Sequence, residues 1–465
     1  MVKFYKFMPE YTPSLAVFCV AILSMMLLAV FKPSFHIKNK FIDYNMDSFW
    51  IPTFLAALIM LAAREIPFKV AMKGLWKYST LNPIGILILF FSMVYISKFL
   101  DTTGFFKICA TWAIDKAGNN GKRLFFVVYF IVGILTIFTS NDVVILTFTP
   151  IIFYFTQSTG IDPKPLLFSE FFAANTFSMI FIISNPTNVV LGNGFGINFV
   201  EFVKYMILPT IAGVSANVIL LYFMFKKEIN QEFDISDDEK KSPSDYITSK
   251  LDLIIGMVFM LGSVILMACS SIPGFSIEMW QIAGIMAVFL LVYNIVIDII
   301  RYKEVEKTKL RIIFSTLPYP IIPFLLSLFI LINTLTIQGL FEDIGKGIGK
   351  VTNKNGNIGV IIFGFLSTLA ANILNNIPMS LSFVPILKST QNKPFLGNIF
   401  ATVAGANLGA NLTPIGALAG IMWLGILKNL NINIGFKEFI KVGIIITPIS
   451  VLATVLLLML SSNYF

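Results

Sequence analysis

Four short polar breaks interrupt the apolar runs of this chain, and their side chains are of the kind that bind solutes without reacting with them. They read Thr139-Ser140-Asn141-Asp142, Ser184-Asn185-Pro186-Thr187-Asn188, Asn375-Asn376-Ile377-Pro378 and Asn411-Leu412-Thr413-Pro414-Ile415-Gly416. Amides and hydroxyls donate and accept hydrogen bonds. Proline removes a backbone donor and clashes with the preceding turn, so a helix carrying it must open. Half-helix N-termini created in this way present unpaired N–H groups and partial positive charge, which suit an oxyanion or a neutral polyol. Half-helix C-termini and carbonyls suit a cation or a proton donor. Ser140, Asn141, Asp142, Asn185, Thr187, Asn188, Asn375, Asn376, Asn411 and Thr413 are therefore the candidate residues for binding a substrate or ion. Asp142 is the one carboxylate among them. It can serve as a ligand for a coupling proton or sodium ion, or as the cap of the helix that follows, and both roles stay open. No Lys or Arg occurs in the four breaks, so a strongly charged anion would lack a fixed countercharge.

The elements that position these residues must be solvated by lipid. The chain has 465 residues, 57% hydrophobic and 13% charged, with mean hydropathy +0.84, whereas soluble proteins carry about a quarter charged residues. Residues 12–31 contain no charge and are long enough to cross roughly 30 Å of hydrocarbon. The run lacks a small-residue cleavage site and apolar segments keep coming after it, so it reads as a span and not as a cleaved leader. The net charge of +9 sits in the connections between apolar runs, the ordinary positive-inside bias, and nucleic-acid binding is excluded. Cys19, Cys109 and Cys269 are scattered without a C-x-x-C pair, so neither a disulfide framework nor a zinc site is indicated. His36, the only histidine, lies in a Lys-rich stretch and reads as a solvated loop residue. A membrane-embedded enzyme would need a nucleophile–base pair or a metal cluster, yet no apolar run contains His and no H-E-x-x-H occurs. Gly345-Lys346-Gly347-Ile348-Gly349-Lys350 lacks the spacing and hydroxyl of a phosphate-binding loop and reads as a flexible interface loop.

The apolar runs fall into two sets of the same plan: 12–31, 48–64, 83–100, 123–157, 164–195 and 199–225, then 251–271, 278–300, 312–335, 357–389, 394–428 and 436–460. Between them, residues 226–250 are charged and Pro/Ser-containing, a linker too polar to span. A shift of 235 carries Gly104 onto Gly339, Phe106 onto Phe341, Asn141 onto Asn376 and Pro150 onto Pro385, which argues for a duplicated unit. Runs 123–157 and 357–389 are too long for one helix. A straight helix would set their polar centres in lipid at several kcal/mol, whereas a re-entrant hairpin buries them in protein. Two closely spaced full spans are the alternative. Runs 164–195 and 394–428 read as broken helices, the mark of a binding site when paired in both halves.

The fold expected is an all-α membrane protein with two inverted-topology repeats, each of five spans plus a re-entrant hairpin. The first repeat is 1–225, with hairpin 123–157 and broken helix 164–195. The second is 251–465, with hairpin 357–389 and broken helix 394–428. Five crossings per half is odd, so the second half enters upside down and both termini share a side. Lys32, Lys38, Lys40, Lys107, Lys116, Lys122, Arg123, Lys164, the linker lysines, Arg301, Lys303, Lys307, Lys309 and Arg311 gather on one side, against Arg64, Lys69, Lys73 and Lys77 opposite. The richer side is expected to be cytoplasmic with linker 226–250, leaving both termini outside an inner membrane. Residues 102–117 and 338–350 mix apolar and charged residues and read as amphipathic arms along the interface. Glu170, at the start of the first broken helix, is expected near the interface.

Asn141-Asp142 followed by Leu146-Thr147-Phe148-Thr149-Pro150-Ile151, Asn375-Asn376-Ile377-Pro378, and Leu408-Gly409 through Thr413-Pro414-Ile415-Gly416 then Trp423-Leu424 resemble the arsenite efflux permeases. That family belongs to the ion transporter superfamily, which also holds sodium-coupled dicarboxylate carriers. The likeness covers nearly the whole chain. It implies proton-driven export of arsenite or antimonite, an elevator-like movement of the substrate-holding part, and in some members a cytoplasmic ATPase subunit. It adds Asn407 to the candidate site: the family is expected to carry aspartates where this chain has Asn175 and Asn407, and a lysine where it has Asn411. Uptake of an inorganic or carboxylate anion and sodium/proton exchange are the alternatives within transporters. No cofactor is expected beyond H+ or Na+ as coupling ion. The expected partners are the bilayer and a small inorganic or anionic solute, with the ATPase subunit and a homodimer left open.

Overall fold

The computed structural model describes residues 11–32, 34–39, 42–76, 82–233, 243–301, 308–352, 356–390 and 395–462. The first half runs α1 (Thr12–Phe31), a hairpin of β1 (Ser34–Asn39) and β2 (Ile42–Asp47), α2 (Trp50–Ala62), α3 (Phe68–Trp76), α4 (Pro83–Thr102) and α5 (Phe105–Ala117). It continues through α6 (Gly121–Phe138), α7 (Asn141–Thr159), α8 (Lys164–Phe177), α9 (Pro186–Phe195), α10 (Phe199–Met224) and the short α11 (Lys226–Ile229). The second half runs α12 (Lys250–Cys269), α13 (Met279–Arg301), α14 (Lys309–Thr316), α15 (Ile321–Ile337) and α16 (Leu340–Thr352). It closes with α17 (Gly356–Leu374), α18 (Asn376–Thr390), α19 (Leu396–Leu408), α20 (Leu418–Asn429) and α21 (Phe436–Ser462).

Short polar side chains set where these helices begin. The Asn82, Asn120 and Asn198 carboxamides each accept from the backbone N–H three residues on, at 2.9 Å, and so cap α4, α6 and α10. Within the helices the sequence is apolar all round, and much of it faces outward. Ile254, Val258 and Ile265 of α12 and Val288 and Phe289 of α13 are exposed, as expected of a surface that meets hydrocarbon. Nine helical segments among the described residues, one of them the run of α14 and α15, are long and apolar enough to cross a membrane. Setting aside the hairpin arms α6 and α17, then adding α2 and the two broken segments, gives the ten crossings expected.

Both hairpins form. Leu124 near the start of α6 and Ile152 and Phe155 near the end of α7 line one apolar cavity, so the chain returns to the side it left. In the second hairpin Phe363 of α17 meets Phe383 of α18 with ring centroids 6.3 Å apart. The repeat is visible in the backbone. Gly104 and Gly339 both take left-handed φ, +90° and +88°, a conformation glycine adopts without a Cβ clash. Gly196 and Asn431, also 235 apart, repeat the feature at +67° and +57° at the ends of α9 and α20. The halves are inverted. Phe168 of α8 packs against both Phe225, just past the end of α10, at 5.4 Å and Phe439, at the start of α21, at 5.7 Å. A Cβ on Gly213, mid-α10, would lie 2.5 Å from Thr454 of α21. The last helices of the two halves therefore run antiparallel.

Several boundaries differ from those the sequence suggests. Run 312–335 is two helices, α14 and α15, because Pro318 and Pro320 break it. The arms 102–117 and 338–350 are helices α5 and α16, and the Gly345–Lys350 stretch is part of α16, not a loop. Close packing recruits it: a Cβ on Gly345 would stand 2.5 Å from the Ile386 carbonyl of α18. His36 lies in β1, paired across to Asn45 in a single two-stranded hairpin, and not in a loop. Lys40, Lys77, Lys303, Lys307 and linker residues 234–242 lie outside the described residues.

The core around the breaks is tight. A Cβ on Gly405 of α19 would lie 1.9 Å from Ser367 Oγ and 2.5 Å from the Gly364 carbonyl of α17. Gly405→Ala is expected to destabilise the detergent-solubilised protein by about 1–3 kcal/mol, the usual cost of overpacking. Thermal unfolding followed by tryptophan fluorescence measures it, and an unchanged midpoint would contradict the close approach.

Candidate functional site

Each broken segment contributes two half-helices and the open backbone between them. α8 stops at Phe177, well before Pro186, which instead takes the first position of α9, where its missing N–H is no loss. The Asn185 carboxamide caps that new start, accepting from Thr187 N–H at 3.0 Å and from Thr187 Oγ1 at 2.9 Å. In the second half α19 stops at Leu408, two 3-10 turns follow (Gly409–Asn411 and Pro414–Gly416), and α20 resumes at Leu418. The hairpin tips are the turn Thr139–Ser140 and the single residue Asn375, whose φ is +73°.

These breaks meet in a network of amides and hydroxyls, buried in its first two strands and part-buried in a third that shares no side-chain hydrogen bond with them among the described residues. Asn407 is its hub. Its Oδ1 accepts from Ser178 Oγ at 2.7 Å and Asn185 Nδ2 at 2.8 Å, and its Nδ2 donates to Asn188 Oδ1 at 2.7 Å and to the Val403 carbonyl at 2.8 Å. Asn188 Nδ2 in turn donates to the Ser178 and Phe181 carbonyls. A second strand of the network runs through Asn175: Asn141 Nδ2 donates to Asn175 Oδ1 at 3.0 Å, and Asn175 Nδ2 donates to Asn411 Oδ1 at 3.1 Å. Thr176 Oγ1 accepts from Asn217 Nδ2 at 3.1 Å and from Asn411 Nδ2 at 3.5 Å. The third strand holds the second hairpin to its broken helix. Thr413 Oγ1 donates to Asn372 Oδ1 at 2.5 Å, Asn372 Nδ2 donates to the Gly409 carbonyl at 2.9 Å, and Asn375 Nδ2 donates to the Ile415 carbonyl at 3.2 Å. Asn376, first residue of α18, is buried at the same tip.

The structure thus brings Asn141, Asn185, Thr187, Asn188, Asn375, Asn407, Asn411 and Thr413 into the joined breaks. Among the described residues, Ser140 Oγ and Asn141 Oδ1 are buried there without a hydrogen-bond partner. Orphaned polar atoms of this kind are rare and stand ready for a solute or water. Asp142 is the second residue of α7, half-buried, and makes no side-chain hydrogen bond or ion pair among the described residues. Its role as the cap is not what forms: Ser140 holds the cap position, itself without a side-chain cap bond. Asn175, Thr176, Ser178, Asn217 and Asn372 belong to the network but sit outside the four breaks. Their signal was available as lone polar residues within apolar helical runs. Glu170, expected near the interface, is not a surface residue. It is fully buried in the middle of α8 and bonded by Thr149 of α7, while the start of α8 carries the part-exposed Lys164–Glu438 ion pair at 2.7 Å. Away from the network, burial pushes the Cys109 thiol of α5 up to about 11, so it stays protonated at neutral pH.

A family profile described as CitMHS, citrate transporter, matches residues 14–398. The arsenical pump membrane protein of Escherichia coli K12 is 28% identical over 366 residues, covering 77% of this chain and 82% of that protein. An uncharacterized transporter of Synechocystis is 23% identical over 431 residues, covering 87% and 91%. Among solved structures, the YdaH transporter of Alcanivorax borkumensis superposes with a TM-score of 0.56 at 14% identity, covering 96% of this chain and 97% of that one. MtrF of Neisseria gonorrhoeae, described among antimetabolite efflux pumps, gives 0.55 at 16%, covering 97% and 94%.

Proposed function

The chain belongs to the CitMHS citrate transporter family, and from that premise we propose that this multi-pass membrane transporter exports arsenite or antimonite in exchange for protons. The observation that carries the reading is the neutrality of the site. The joined breaks offer amide and hydroxyl groups from Ser140, Asn141, Asn185, Asn188, Asn375, Asn407, Asn411 and Thr413, with no Lys or Arg among them. Arsenous and antimonous acids are neutral trihydroxides near neutral pH, and such groups match them donor to acceptor without a countercharge. A citrate trianion brought into the same surroundings would leave its charge uncompensated, at a cost of several kcal/mol. The arsenical pump relatives support the same class of solute. Exchange of a neutral cargo for protons calls for a titratable group, and Asp142 stands at the tip of the first hairpin.

Inverted membrane vesicles containing the protein are expected to accumulate arsenite when a pH gradient is imposed, with citrate and phosphate neither accumulated nor inhibitory. Citrate accumulation without arsenite accumulation would replace this reading by a sodium- or proton-coupled carboxylate permease, the reading favoured by the family's description and by the helix N-termini of α7, α9 and α18. Asp142→Asn is expected to lower arsenite accumulation and flatten its pH dependence. Normal transport with the parent pH profile would remove Asp142 from coupling.

A further inference from the structure

Glu170 lies in Phe168-Ser169-Glu170-Phe171-Phe172, fully buried, and Thr149 of α7 is its only hydrogen-bonding neighbour among the described residues. Thr149 Oγ1 lies 2.9 Å and 3.1 Å from the two carboxyl oxygens and 2.7 Å from the Ile145 carbonyl one turn back. One hydroxyl has one proton to give. With an ionised Glu170 that proton must leave either the carbonyl or a buried carboxylate without a donor, and no cation compensates the charge. A protonated Glu170 completes the set: its O–H donates to Thr149 Oγ1, and the hydroxyl donates to the Ile145 carbonyl.

The charged groups on the elements packed against α8 are Lys122 and Arg123 at the start of α6, Asp142 on α7, Glu201 and Lys204 on α10, Lys428 on α20, and Lys437, Glu438 and Lys441 on α21, and among the described residues none of them is hydrogen-bonded or ion-paired to Glu170. α6 offers Tyr129, whose hydroxyl donates to the Val214 carbonyl at 3.3 Å. α10 offers Tyr222, stacked on Phe126. α7 offers Asp142, about two turns nearer the tip, and α19 with the turn Gly409–Asn411 offers no titratable side chain. Lys164, at the start of α8, is engaged with Glu438 of α21. Glu170 is nonetheless coupled to the site by the seam it occupies. Thr149–Glu170 and Asn141–Asn175 are two rungs between the same pair of helices, and Asn175 lies five residues, about 7.5 Å, further along α8. Ionising a carboxyl in that seam favours its opening, because an uncompensated buried charge is better solvated by water. Opening the seam would disturb the rung that ties the hairpin tip to Asn411.

We propose that Glu170 carries the coupling proton within the seam, in series with Asp142 at the hairpin tip, taking it up on a carboxyl oxygen from one side of the membrane and releasing it to water on the other. The proposal rests on the transport reading above and adds to it a second carboxylate that no break contains. One proton exchanged per neutral solute lets each unit of pH gradient, with the voltage clamped, support about tenfold accumulation.

Two measurements test it. In purified protein, infrared difference spectra across a pH titration are expected to contain the carbonyl stretch of a protonated carboxylic acid that Glu170→Gln removes. An identical band in the variant overturns the proposal, whatever the protein transports. In proteoliposomes, Glu170→Gln is expected to keep arsenite equilibrium exchange while accumulation driven by the pH gradient falls to unity. Accumulation equal to the parent's overturns it. If the parent transports neither arsenite nor antimonite, the functional reading fails alone and the infrared test still decides the state of Glu170. Should Glu170→Gln not fold, Thr149→Val takes its place: the acid band is expected to shift as its hydrogen bond is lost, and an unshifted band counts against the assignment.

Discussion

Replacing Asn407 by leucine is expected to abolish transport while leaving a protein that still inserts in the membrane. Leucine is close in shape, so the loss is chiefly of hydrogen bonds. Asn185 Nδ2 and Asn188 Oδ1 lose a buried partner at 2.8 and 2.7 Å, while Ser178 Oγ loses its bond to Asn407 but keeps the Asn175 carbonyl at 2.9 Å. Each buried polar group left unsatisfied costs about 1–3 kcal/mol, and even two such groups suffice for a loss of about 100-fold, since 1.4 kcal/mol is tenfold. Asn407→Asp discriminates further. It keeps the acceptor for Ser178 and Asn185 but sets a second oxygen against Asn188 Oδ1, and Asn188 cannot turn its amide without releasing the Ser178 and Phe181 carbonyls. Arsenite uptake into inverted vesicles, normalised to protein in the membrane, measures both. A leucine variant within threefold of the parent would show that the hub does not hold the transporting conformation.

Asp252→Ala is expected to be the most destabilising single change in the part of the molecule away from the breaks. The Asp252 carboxylate is fully buried at the start of α12 and accepts from Tyr293 Oη at 2.7 Å, Arg301 Nη1 at 2.5 Å and Lys309 Nζ at 2.5 Å. It ties α12, α13 and α14 together beneath α4, where Lys309 also stands 5.7 Å over the Phe99 ring. Removing the carboxylate leaves Lys309, itself buried, without a countercharge, and breaking a buried pair from one side costs about 3–5 kcal/mol. The double variant Asp252→Ala/Lys309→Met removes both charges and is expected to recover most of that loss. Thermal unfolding in detergent reads the cycle. Equal instability of the single and double variants would mean that the cluster acts through packing and not through charge.

The repeat was legible because backbone geometry restricts residue choice. Gly104 and Gly339 recur 235 residues apart because both chains turn through left-handed φ at the same place, and Asn141 and Asn376 recur because each begins the returning arm of a hairpin. The site was legible where a breaker marked it. Asn185, Asn188, Asn411 and Thr413 flank prolines, and proline forces a helix open whatever surrounds it. Asn175, Ser178 and Asn372 carry no such mark. They sit at or near the ends of ordinary helices, and only the approach of another segment gives them a role. The burial of Glu170 was not legible for a related reason: its place in an apolar run says nothing of which neighbour covers it, and it is α7, through Thr149, that does so.

Hydropathy, period and proline act locally along the chain, and from them alone it follows that the chain lives in lipid, is duplicated, and opens its helices at four polar points. Which amide meets which is set by the packed helices: Asn407 of one half holds Ser178, Asn185 and Asn188 of the other, and Glu170 faces a threonine. A hydrogen bond is specified by two groups at about 3 Å. When those groups lie more than 200 residues apart, the packing of whole helices, and not any local pattern, sets the distance.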